Sequence, residues 1–186
     1  RRTEEEIGSL LKEKIYVPLV SEIENLFLIP KVIELVAKKQ NIENVDDLLE
    51  QTKAKTIEFL QEHLEEQSLL FAKKRCQNTI NNICNQPTST IEEYKASLDG
   101  VVDIVNPQEE YNKVREELQK IIDDKDYLAA LKVINNKGLL PSTNLPNVFG
   151  WKKQYYIEYV IRLLESKDSA SEELCDIFRE YVPVEI

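Results

Sequence analysis

The sequence is short of the residues that small domains use as staples and hinges: its 186 positions hold three cysteines, one histidine, four glycines and no methionine. Cys76, Cys84 and Cys175 have no C-x-x-C spacing and are odd in number. They read as reduced thiols rather than as a disulfide framework or a zinc site. The single histidine, His63, excludes any site built on two, and no acid, thiol or hydroxyl stands at a diagnostic spacing from it. Four glycines and seven prolines are too few for a many-turned β fold and favour long regular elements. No apolar run is long enough to cross a bilayer and no signal-peptide pattern opens the chain, so the expectation is a cytoplasmic protein with no membrane partner. Arg1 stands where an initiator methionine would, which leads to the expectation of a piece of a longer polypeptide.

Basic residues are also in deficit, 24 against 34 acidic ones, for a formal net charge of -10. The surface as a whole therefore repels phosphate backbones and anionic membranes. Divalent cations neutralise carboxylates locally, so the charge argues against the main nucleic-acid grip rather than against every nucleic-acid enzyme.

What remains is helical pattern. Thr3 and Glu6 make a capping box ahead of Ile7, Leu10 and Leu11, predicting a short helix that ends near Lys14. Ile15, Tyr16 and Val17 are β-prone and predict a short strand, which Pro18 ends or places at an edge. Pro30 opens a helix over 31–40. From Asp46 to about Asn85, apolar residues recur at three- and four-residue spacing, predicting one very long helix, kinked or folded into a protruding hairpin arm. Thr90 and Glu93 form a second capping box, with a helix to about Leu98. Residues 101–105 read as a short strand or an extended linker. Pro107 opens a helix through Asp123, and another covers 126–134. Gly138 reads as a helix C-cap, and 141–150 as the longest irregular stretch. Helices over 151–165 and 169–180 close the chain. No 20–50-residue period repeats, which excludes a solenoid. The expected fold is mainly α, multi-helix, with one very long helix or helical hairpin.

Candidate chemistry is sparse. In Ser21-Glu22-Ile23-Glu24-Asn25 two carboxylates stand two residues apart. On an extended backbone they share a face and reach one hard cation such as Mg²⁺ or Mn²⁺. The plainer reading, a solvated acidic turn, is favoured by spacing alone. Lys73, Lys74 and Arg75 are the densest basic cluster, more simply a solvated helix face than a phosphate patch. Lys137 beside Gly138 could present an ammonium to a phosphate but lacks the P-loop pattern. Trp151, Tyr155, Tyr156, Tyr159 and Phe178 suit the core of a helical hairpin better than a partner face.

The segment SEIENLFL, residues 21–28, following a helix and a strand, resembles the C-terminal half of a Toprim-like nuclease domain. The family in question is an uncharacterised one associated with AAA/ABC-type ATPases and related to the OLD-family (overcoming lysogenization defect) ATP-dependent nucleases of phage defence. Lys137-Gly138-Leu139-Leu140 is similar to a lysine–glycine segment of that family's helical extension, with the two residues in a different order. Tyr156 to Leu164, followed by Tyr181-Val182-Pro183, resembles its closing helices. The resemblance implies an α/β remnant over 1–29, a helical extension over 30–186, and a Mg or Mn ion held in the whole protein by Glu24 with Glu22. It implies Glu24, Asn25 and Lys137 as catalytic residues, nucleic acid as substrate, and an ATPase domain or a second copy as partner. The Asp-x-Asp motif that would precede this segment in such a site is absent ahead of it in the chain. An alternative of another class is a helical interaction or dimerisation module without chemistry.

Overall fold

The computed structural model describes Lys12 and residues 17–182, and among the described residues every regular element is helical. The expectation of a mainly α, multi-helix chain holds. The capping-box helix at the start lies outside the described residues, as does the strand at Ile15 and Tyr16; Val17 has no regular structure.

In chain order there is a 3-10 turn, Ile23–Leu28, then α1 (Pro30–Lys39), α2 (Val45–Glu62), α3 (Leu64–Cys84) and α4 (Ile91–Asp99). After these come α5 (Val101–Ile104), α6 (Pro107–Asp123), α7 (Tyr127–Val133), α8 (Leu139–Ser142), α9 (Leu145–Val148), α10 (Lys153–Glu165) and α11 (Ser169–Tyr181). The chain forms two compact units. One holds residues 17–62 and 121–182; the other is His63–Lys120.

The first unit is organised around the 3-10 turn. Helices α1, α7, α8 and α10 all pack on it, while α2 lies against α1, α7 and α8, and α11 against α10 and α1. Leu28, Ile29, Val32, Ile33, Leu131, Ile134, Leu140 and Leu174 are at most 1% exposed. Burying each such side chain contributes about 1.5–3 kcal/mol before the cost of ordering it. Ends are set locally. Pro30 opens α1, and Asn41, at φ 54°, turns the chain away after it. Asp168 caps α11 by accepting from Ala170 N–H and Ser171 N–H, both at 3.0 Å. Hydrogen bonds from the Ser166 hydroxyl and the Ser171 N–H, with Lys39 nearby, hold its carboxyl down at about 2.

In the second unit α3 and α6 are tied by charge. Arg75 donates to both Glu117 carboxylate oxygens at 3.0 and 2.6 Å, and Arg115 donates to Glu65 Oε1 at 2.9 Å. Glu65 also accepts from the Tyr111 hydroxyl. Phe71, Ala72, Cys76, Val114 and Leu118 are the buried apolar side chains of these two helices, with Leu64.

Several local expectations are corrected. The long apolar pattern from 46 to 85 is interrupted at His63 (φ -106°, ψ 15°), a break that the expectation of a kinked or folded helix allowed for, and the correction is only to where it falls. The pattern itself runs on through Leu60 and Leu64 and does not mark the break. Residues 101–104 are a helical turn rather than a strand: Gly100 is itself helical (φ -74°, ψ -12°) and Val105 N–H closes on Val101 O at 2.9 Å. Local hydrogen bonding there outweighs the β preference of the valines. Gly138 begins α8 instead of ending α7. Its φ is an ordinary -74°, and its smallness serves a close approach, since a Cβ there would stand 2.9 Å from Asn136 Oδ1. The stretch 141–150 holds the end of α8 and all of α9, joined through Asn144 at φ 60°.

Candidate functional site

The residues singled out in 21–28 sit at the centre of the first unit. A six-residue 3-10 turn leaves backbone carbonyls without partners of its own, and so does the last turn of α7. The two ends satisfy each other. Asn25 is 1% exposed, and its Nδ2 donates to Leu131 O and to Ile134 O, each at 2.9 Å. The Ser21 hydroxyl donates to Lys132 O at 2.5 Å. In return Tyr127 of α7 donates its hydroxyl to Leu28 O at 2.5 Å, and Tyr156 of α10 donates to Phe27 O at 2.9 Å. Burial pushes both phenols well above the usual tyrosine range. Phe27 meets the edge of Phe178 at 6.5 Å between ring centroids.

Glu24 leaves this network sideways. Its Oε2 lies 2.5 Å from Lys153 Nζ, with the two side chains 22% and 30% exposed respectively. That oxygen is buried and receives no well-directed hydrogen bond, so the ammonium's charge rather than a directed donor compensates it. The same ammonium donates to Lys137 O at 3.0 Å. Lys153, the first residue of α10, thus bridges the turn to the loop before α8. Sequence reasoning did not single it out, because a lysine opening a helix carries no distinguishing pattern.

The predicted residues are therefore brought together only in part. Glu24 and Lys137 meet through Lys153, but Lys137 contributes its carbonyl while its own side chain is exposed. Asn25 spends both amide hydrogens on α7. Glu22 is half-buried and extended (φ -119°, ψ 139°), and its carbonyl accepts from Asn25 N–H at 2.9 Å. The extended backbone that would set Glu22 and Glu24 on one face is not met, because Ile23–Leu28 is a 3-10 turn. Among the described residues no three His, Cys, Asp or Glu side chains gather as metal ligands. Glu24 against an ammonium, without a second acid beside it, does not fit a divalent cation on its own. What the constellation does chemically is hold charge and carbonyls in place.

Other marked residues fall as follows. Lys73 and Lys74 are exposed, whereas Arg75 is committed to Glu117, with Glu110 at 3.9 Å. Trp151 stacks on Phe149 at 5.2 Å and meets Tyr159 at 4.8 Å, and Phe149 stacks on Tyr156 at 5.7 Å. This is the interior of the α10–α11 region, as expected, except that Tyr155 is 62% exposed.

A different surface emerges in the second unit. Ile91, Tyr94 and Leu98 of α4 stand at i, i+3 and i+7, yet α4 buries none of its residues. The spacing was legible in the sequence; that it stays partly exposed, although α4 packs on α3, was not. No described helix is long and apolar enough to cross a membrane. Set against protein-family models, curated proteins and solved structures, the chain matches none of them.

Proposed function

We propose that this chain works as a helical protein-interaction module, with the apolar face of α4 (Ile91–Asp99) as its docking element. The observation that carries this is a well-formed amphipathic helix whose apolar side chains all remain exposed: Ile91 is 70%, Tyr94 38% and Leu98 40% exposed. Apolar residues scattered singly over a surface need no explanation, but three on one helix face make a stripe that favours association. The test is affinity capture from the native host with the full chain and with Leu98→Glu. A protein identified with the first, lost with the second, and bound again when purified supports the module. Equal recovery on both ends it.

The SEIENLFL resemblance supports a second reading, in which the chain is the C-terminal helical part of a metal-dependent, ATPase-coupled nuclease of the phage-defence kind. Glu24 and Glu22 would then contribute to a Mg or Mn site, with Asn25 and Lys137 beside it, and an AAA/ABC-type ATPase as partner. The remaining ligands would have to come from elsewhere in the full-length protein. There, Glu24→Gln should abolish Mn²⁺-dependent cleavage. Unchanged cleavage removes Glu24 from the site.

A further inference from the structure

The two units rely on different forces. Among the described residues the continuous apolar core lies wholly within the first unit, residues 17–62 and 121–182. The buried apolar side chains of His63–Lys120 are Leu64, Phe71, Ala72, Cys76, Val114 and Leu118, and none of them belongs to that core. All of these lie on α3 and α6, whereas α4 buries nothing. Charge makes up part of the deficit. Arg75 of α3 pairs with Glu117 and Glu110 of α6, and Glu65 of α3 with Arg115 and the Tyr111 hydroxyl of α6. The ion-paired side chains are between 30% and 63% exposed, so water and dissolved salt screen them. The chain leaves the first unit after Glu62 and re-enters it at Ile121, and within that unit α2 packs directly on α7 and α8. The first unit therefore closes its core with its own helices.

We propose that His63–Lys120 opens as one cooperative element, released by salt, while the first unit keeps its fold. Proteins open in contiguous blocks, and a block with little buried apolar surface opens at low free energy. The second unit is such a block, continuous in sequence and thinly cored. Sodium chloride promotes its opening by screening Arg75 and Arg115. The first unit responds less, because burial rather than charge carries it. A nine-residue helix is marginal in water by itself, so α4 loses its helix when α3 opens. Ionic strength thus sets how often the α4 stripe is presented, and this does not require that the stripe have a partner.

Thiol labelling of the full chain tests this. Cys76 is buried in the second unit, and Trp151, the single tryptophan, lies in the first. In a Cys84→Ser, Cys175→Ser background, iodoacetamide reaches Cys76 only when the second unit opens, and mass spectrometry reads the rate. Trp151 fluorescence reports whether the first unit is still folded. Leu118→Ala is expected to speed labelling at least about tenfold with native Trp151 fluorescence. Leu131→Ala, in the core of the first unit, should leave the rate unchanged; Ile134→Val is the milder change there if that variant does not fold. The exposed pair Arg75→Gln, Arg115→Gln should speed labelling at least about twofold and flatten its rise with sodium chloride. Three results overturn the proposal. If either first-unit variant speeds labelling, Cys76 is uncovered only by unfolding of the whole chain. If Cys76 reactivity and Trp151 fluorescence change at one urea concentration in every variant, the two units are a single element. If salt and the arginine variant leave the rate unmoved, charge does not hold the second unit closed.

Discussion

The Asn25 amide gives both its hydrogens to carbonyls at the end of α7, which makes it a joint between the 3-10 turn and a helix 106 residues away in sequence. Asn25→Ala would strand two buried acceptors, and Asn25→Asp would offer oxygens where hydrogens are needed. We expect Asn25→Ala to cost about 2–4 kcal/mol, read from the midpoint of chemical denaturation, because each unsatisfied buried polar group costs about 1–3 kcal/mol. Asn25→Asp should cost at least as much. A residue whose only duty was chemistry would leave the midpoint in place. The Glu24–Lys153 pair is partly exposed and is worth less: Lys153→Met should cost about 1 kcal/mol. The sequence made Glu24 and Asn25 conspicuous as a polar pair inside an apolar run. It could not show that their partners are backbone carbonyls and a lysine, because the contacts join positions more than a hundred residues apart.

At the scale of elements, the 3-10 turn and helices α7 and α10 hold one another through hydroxyl-to-carbonyl bonds. Tyr127 and Tyr156 are protonated donors in that arrangement, and burial raises both above their ordinary value near 10. The unfolded chain loses these protons first as pH rises, so the stability they contribute is complete below about pH 10 and declines above it. In an alkaline titration followed by phenolate absorbance, Tyr127 and Tyr156 should ionise only as the first unit unfolds. If all eight tyrosines ionise in one reversible step with the circular dichroism unchanged, the hydroxyl bonds are not holding the turn. Element limits were widely legible where caps are local. Pro107, Asp126 and the Thr90–Glu93 box each mark the helix start they predict. They were illegible at His63, at Val101–Ile104 and at Gly138. There the deciding features are a helix break without a breaker residue, a local helical hydrogen bond, and a glycine at an ordinary φ that starts a helix instead of ending one.

For the whole molecule, apolar burial is unevenly divided. The continuous core belongs to the residue 17–62 and 121–182 unit, whereas α4 buries nothing. Native-state amide exchange should therefore be slowest in α1, α2, α7 and α10 and fastest over 91–104, with the difference persisting in the presence of mild denaturant. Uniform protection across the two regions would contradict this division. The sequence by itself determined the mainly helical class, the absence of a membrane-spanning helix and most helix starts, because periodicity and caps act over three to seven residues. Tertiary structure alone decided that SEIENLFL is a hub with Asn25, Leu26 and Leu28 buried, that Lys153 engages Glu24, and that the stripe on α4 stays partly exposed. Those outcomes depend on which distant surfaces meet, and a burial pattern written along one chain does not say which apolar face finds a partner.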